Sequence, residues 1–208
     1  MEGSDAPPLN KKEDTMSSHR NVLLTMLAVC TLATSLDGGI FPREDLSAKI
    51  QKELDYYKQA AVLNDMLFRD GIPVNTNVVV SMLKEIDKNI IMYYPQGPFT
   101  RNDFIAMGWL ESEFRQYERG THGEKGIFQI MPDEFKDFDI HKNYYSVDVN
   151  TKMAFRVLDG KYQKYKDYKL AIMAYNGLVK LKSGHYSKKY WKSFEKRRIA
   201  VDLVLNAK

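Results

Sequence analysis

Apolar residues recur at helical spacing along most of the chain. Leu46, Ile50, Leu54, Tyr57, Ala61 and Leu67-Phe68 keep an approximate 3.6-residue period and predict a long helix over 44–69, closed by Gly71 and Pro73. Val78 to Tyr93 reads as a second helix, with Asn75 or Thr76 as its cap, and Tyr94-Pro95-Gln96-Gly97-Pro98 breaks it. Phe104, Met107 and Phe114 share one stripe of a third helix over 101–117, widened by Gly108 and Leu110. Thr100 precedes it with Asp103 three residues on, in the manner of a capping box. Pro132, Phe135 and Phe138 predict a short helix. Asp148 or Asn150 is placed to cap a helix through Met153, Phe155, Val157 and Leu158. Leu170 to Tyr175 continues as a helix that Asn176-Gly177 ends, and Tyr186 to Leu205 makes the last one. The one stretch compatible with a small β-ribbon is Ile127 to Ile130.

The front of the chain differs in character. Residues 1–18 are polar and aperiodic and read as disordered. Asn21 to Leu36 is then apolar apart from Asn, Thr and Ser, follows His19-Arg20 and stops at Asp37-Gly38-Gly39. At 16 residues it is short for a spanning helix, which needs about 20, and matches a signal-peptide core better. Ala33 and Ser35 supply the small residues for a cleavage after Ser35. A short membrane anchor and a buried core helix remain the alternatives. The one cysteine, Cys30, lies inside this segment, so no disulfide framework is expected.

The chemistry concentrates between Glu111 and Pro132. Glu111 lies seven residues after Phe104, four after Met107 and three before Phe114, which sets its carboxylate on the apolar face. Glu113, about 200° further around at roughly 100° per residue, points away. A carboxylate in apolar surroundings is hard to ionise, which is how an acid stays protonated near neutrality for use in catalysis. Gly120, Gly123 and Gly126 then form a polar glycine loop, and Ile127 to Met131 is apolar except for Gln129. No strand precedes the glycines and no Gly-Lys-Ser/Thr closes them, so neither a dinucleotide fingerprint nor a P-loop is present.

These residues resemble a known family. Glu111-Ser112-x-Phe114, followed by Gly123-x-x-Gly126-Ile127-Phe128-Gln129-Ile130-Met131-Pro132, is similar to the E-S-x-F and G-x-x-G-L-M-Q-x-M-P signature of the lytic transglycosylases with a lysozyme-like fold. Ala174-Tyr175-Asn176-Gly177 resembles their second motif, A-Y-N-x-G, shortened by one residue. A further departure is Gly120, where the family usually carries a serine that supports the catalytic carboxylate.

The resemblance implies a mainly α, lysozyme-like catalytic domain at 99–208 with at most a small β-ribbon. A helical extension over 37–98 and the disordered and signal or anchor region over 1–36 precede it. It implies Glu111 as the catalytic acid and then base, with Gln129, Met131, Tyr175, Asn176 and Phe128 lining the sugar site. The substrate is peptidoglycan glycan, cut between N-acetylmuramic acid and N-acetylglucosamine with formation of a 1,6-anhydro end. Two alternatives stay open. One is a goose-type lysozyme-like hydrolase, with an acidic residue among Asp133, Glu134, Asp137 and Asp139 positioning the water. The other is an inactive wall-binding module of a secretion, conjugation or phage-entry apparatus. Export to the periplasm or cell envelope is expected, with peripheral or anchored membrane association through 21–36.

Charge adds one feature. Twelve Lys or Arg against two acidic residues lie between Lys161 and Arg198, in a chain of net charge +4. That suits an anionic wall or membrane surface, and aromatics interleaved with lysines over Tyr186 to Phe194 could stack on sugars or bases. Nucleic acid is not expected as a partner. His19, His122, His141 and His185 have no ligand spacing, so neither a metal site nor a cofactor is expected.

Overall fold

The structure, a computed structural model, describes residues 43–206 apart from 70, 73 and 137–142. The tail over 1–18, the apolar segment 21–36 with Cys30, and Pro73, Asp137, Phe138 and Asp139 lie outside the described residues. The chain divides into two units, residues 1–49 and 50–208. Of the first, the described part is the beginning of helix α1.

Seven helices and no strands are found among the described residues. They are α1 (Arg43–Arg69), α2 (Thr76–Tyr93), α3 (Arg101–Ser112), α4 (Pro132–Lys136), α5 (Val147–Tyr165), α6 (Tyr168–Tyr175) and α7 (Lys189–Leu205). The mainly helical, lysozyme-like class expected from the sequence stands. The expected ribbon reduces to isolated bridges, Arg119 with Lys125 and Lys125 with Ile130.

The caps explain several boundaries. Asn75 accepts from the Asn77 amide at the start of α2. Thr100 and Asp103 form the reciprocal capping box of α3, worth about 1 kcal/mol. Two boundaries differ from the sequence reading. Helix α3 ends at Ser112, five residues earlier than its apolar period suggested, because Glu113 and Phe114 turn left-handed at φ 55 and 61. Phe114 is still buried, but it reaches the core from the turn. Helix α5 is capped at Ser146, not at Asp148 or Asn150, and runs unbroken through Gly160.

Within residues 50–208 the helices share one core. α2 packs on α5, α5 on α6, and α3 on α7. The Phe104 and Phe155 rings stack 3.6 Å apart at its centre, and Tyr94 and Phe99 close around them. α1 buries Tyr56, Ala60, Leu63 and Leu67 in the same core. Its polar rim bonds to α2 and α3: Tyr56 to Asp87 at 2.9 Å, Lys84 to Glu53 at 2.5 Å, and Arg101 to Gln59 at 2.7 Å. The helices ahead of residue 99 therefore complete the core beneath α3 and hold it from behind.

Candidate active site

Glu111 occupies the last turn of α3, and its position follows from how that helix stops. The left-handed pair Glu113-Phe114 reverses the chain, with the Glu113 amide donating to Trp109 and the Phe114 amide to Gly108. Left-handed backbone at a buried phenylalanine costs on the order of 1 kcal/mol, and such strain gathers at functional sites. Next to Glu111, the buried Ser112 hydroxyl donates to the Ile127 carbonyl at 2.7 Å, which ties the helix end to the glycine loop. Gly108 permits this close approach: a Cβ there would meet Ile127, Met82 and Phe114 at 3.3 Å.

The loop is a turn braced on all sides. Lys125 and Ile130 exchange both backbone hydrogen bonds at 3.0 Å around Gly126–Gln129. Asn150, buried on α5, is fitted into this turn. Its amide donates to the Lys125 carbonyl at 2.8 Å and to the Tyr144 carbonyl at 2.9 Å, and its oxygen accepts from the Phe128 amide at 2.8 Å. Gly126 has φ +81, and a Cβ there would lie 2.4 Å from the Asn150 nitrogen, so a glycine is required twice over. Asn150 was one of two residues, with Asp148, expected to cap this helix. The sequence carries no local sign of its bonds to residues 22 and 25 positions away.

The remaining walls come from the far end of the chain. Tyr175, the last residue of α6, donates its phenol to the Phe128 carbonyl at 2.9 Å. Tyr190, in the first turn of α7, donates to Glu111 Oε1 at 2.5 Å. The sequence placed Tyr190 only among aromatics interleaved with lysines, and nothing local marks a partner 79 residues earlier. Arg197 of α7 lies over the Trp109 ring at 5.2 Å.

Electrostatics hold the Glu111 carboxyl protonated above its ordinary range. Burial pushes its carboxyl up from 4.5 to about 7, with repulsion from Glu124 adding and the Tyr190 hydrogen bond opposing. The Tyr175 and Tyr190 phenols are raised well above their ordinary range, first by burial and then by the Glu111 charge, so both stay protonated donors.

The expected substrate-binding residues fall into distinct places. Met131 is 39% exposed beside the loop, and Asn176 is exposed at the α6 C-terminus. Gln129 sits at left-handed φ 48 and turns its amide nitrogen back to the Gly126 carbonyl at 2.8 Å and the Glu118 carbonyl at 3.3 Å. Phe128 requires a correction. Its ring is 0% exposed, so it packs in the core and cannot line a sugar site; what it lends the site is its carbonyl, held by Tyr175. The aromatics of 186–194 are also mostly inward: Tyr190 on Glu111, Trp191 against Tyr168 and Phe194, and Phe194 fully buried. Among the described residues no group of three or more His, Cys, Asp or Glu is arranged so that it could hold a metal ion.

This arrangement, a helix-end glutamic acid facing a braced glycine turn and two tyrosines, coincides with a family match. Residues 99–197 match the family model described as Transglycosylase SLT domain. This segment is a Transglycosylase SLT domain. The resemblance seen in the Glu111 and Tyr175 motifs is thereby shown, and peptidoglycan is the substrate class that an SLT domain implies. No curated protein and no solved structure matches the chain. The SLT domain spans α3 to α7 through residue 197, and α1 and the whole of α2 lie before it.

Proposed function

We propose that the protein is an active peptidoglycan lytic transglycosylase with Glu111 as its single acid and base. The observation that carries this reading is the Glu111 carboxyl itself, raised to about 7 by burial and gripped by Tyr190. Protonated near neutrality, Glu111 gives its proton to the oxygen between N-acetylmuramic acid and N-acetylglucosamine as the bond to C1 breaks. The substrate's own N-acetyl group stabilises the cationic centre. Glu111, now ionised, takes the proton of the muramic acid 6-hydroxyl as that oxygen bonds to C1. The product is a 1,6-anhydro end, the acid is regenerated, and no water is consumed. Tyr190 suits both halves: its phenol fixes the carboxyl and stabilises the charge that appears between the two steps. Gln129, Met131, Tyr175 and Asn176 are the residues proposed to border the sugars.

A hydrolytic route needs a second carboxylate to hold a water. Of the segment that could provide one, Asp133 is exposed and pairs with Lys136 at 2.7 Å, and Glu134 pairs with Lys161 at 3.7 Å. An inactive binding module has no use for a carboxyl kept protonated by burial, so activity is favoured. Residues 99–208 are read as the catalytic domain and 37–98 as its helical support. The apolar 21–36 stretch supports export to the periplasm or envelope. Among the described residues no helix is long and apolar enough to cross a membrane.

The test is turbidity clearance of purified peptidoglycan by the protein and by Glu111→Gln. Clearance that the substitution abolishes is the expected result. Equal clearance by both proteins would remove Glu111 from the chemistry.

A further inference from the structure

Tyr175 and Tyr190, the two phenols of the Glu111 site, are joined by a short hairpin that the site itself does not use. The Ser187 amide donates to the Val179 carbonyl at 2.8 Å, the Leu181 amide to the His185 carbonyl at 2.7 Å, and the Gly184 amide closes the tip on the Leu181 carbonyl at 2.9 Å. Lys180 and Tyr186 pair across it. Every residue from Val179 to Tyr186 is exposed, so the hairpin stands clear of the helices with neither face covered. Its first strand alternates. Val179 and Leu181, 62% and 46% exposed, share one face, and Lys180 lies with Tyr186 on the other. Lys182 follows in the tip, and Lys188 and Lys189 stand at the base. Among the described residues none of these four lysines is in an ion pair. No Asp or Glu occurs from Tyr168 to Phe194.

We propose that this hairpin is a membrane-docking element, which sets Val179 and Leu181 into the interface of an anionic lipid bilayer and its lysines among the headgroups. Two observations select that occupant. The unopposed lysines require an anionic surface, and the bare aliphatics beside them require an apolar layer as well. A bilayer interface offers both within about 5–10 Å of depth, the reach of three strand residues at about 3.3 Å each. The peptidoglycan wall offers carboxylates, but as a hydrated polymer it has no apolar phase to cover Val179 and Leu181. Tyr186, an apolar ring with a polar tip, suits the same boundary. The hairpin springs from the end of α6 and leads into the first turn of α7, where Tyr175 and Tyr190 are carried. Docking it therefore brings the Glu111 site to the lipid surface, and this holds whether or not Glu111 is the acid.

The experiment puts an environment-sensitive nitrobenzoxadiazole label on the hairpin tip of the full chain, at Ser183→Cys, with Cys30→Ser so that the label has one site. Its emission is followed against vesicles of phosphatidylglycerol mixed with phosphatidylcholine, and against phosphatidylcholine alone. The label should shift to the blue on the anionic vesicles and stay in water with the neutral ones. Lys180→Gln with Lys182→Gln should raise the lipid concentration at half-maximal shift about 25-fold, at about fivefold per lysine. Val179→Ser with Leu181→Ser should remove most of the blue shift while the anionic vesicles still sediment the protein. All four positions are exposed, so the core is left alone. A label that stays in water on anionic vesicles, or shifts equally on neutral ones, overturns the proposal. Retention on purified sacculi that falls in the lysine variant, with no shift on vesicles, assigns the hairpin to the wall and overturns it too. Because the label sits on the hairpin, lipid binding through residues 21–36 alone leaves it in water. Because nothing turns over, a protein that fails to cleave peptidoglycan would sink the functional reading and leave this result standing.

Discussion

Replacing Glu111 with glutamine should make the protein inactive and, at alkaline pH, more stable. The folded protein keeps Glu111 protonated up to about pH 7, whereas the unfolded carboxyl loses its proton near its ordinary 4.5. Between those values the folded state binds more protons, so this site's contribution is fully present below about 4.5 and is lost as pH rises through 7. At 1.36 kcal/mol per pH unit the gap corresponds to about 3 kcal/mol, and about 2 to 3 once water at the site is allowed for. Glutamine is uncharged, fills the same volume and can still accept from Tyr190. Urea unfolding followed by circular dichroism at pH 8.5 should therefore show Glu111→Gln more stable by about 2 to 3 kcal/mol, or roughly 5–10 °C in Tm. At pH 4.5 the two proteins should coincide. A gain of equal size at both pH values, or none at pH 8.5, would refute the reasoning, because neither carries the signature of a buried acid forced to ionise.

Other parts of the site give separable outcomes. Tyr190→Phe removes the donor that stabilises ionised Glu111, so the basic limb of the pH–rate profile should move upward and kcat/KM should fall about tenfold or more. Asn150→Ala removes three buried hydrogen bonds and should cost about 2–4 kcal/mol in urea unfolding, with faster amide exchange over 125–130. Gly126→Ala sets a Cβ against Asn150 at a left-handed position and should destabilise by about 2 kcal/mol or more on the same assay. Tyr175→Phe loses its bond to the Phe128 carbonyl and should cost about 1 kcal/mol.

What could be read from the sequence was local. The Thr100–Asp103 capping box spans three residues, and the helical periods over 44–69 and 78–93 need only their own windows. Glu111 was legible because Phe104 and Met107 fix its face within two turns. The α3 end was not, because Phe114 keeps the apolar period although the chain has already left the helix through two left-handed residues. Phe128 misled for a related reason: within a tight turn a residue can send its ring to the core and its carbonyl to the site. Asn150 and Tyr190 were invisible as site residues because each meets its partners only through tertiary packing. Gly120 was visible as a departure, but that Glu124 fills its space depends on a turn only coordinates display.

The central claim, a one-acid cleavage that consumes no water, is tested most directly by weighing the products. Purified peptidoglycan digested with the protein, beside Glu111→Gln, would be analysed for released muropeptides by mass spectrometry. The account predicts muropeptides about 18 Da lighter than hydrolytic ones, the mass of one water, and none from the variant. Hydrated reducing ends from the wild-type protein would contradict it and make the enzyme a hydrolase.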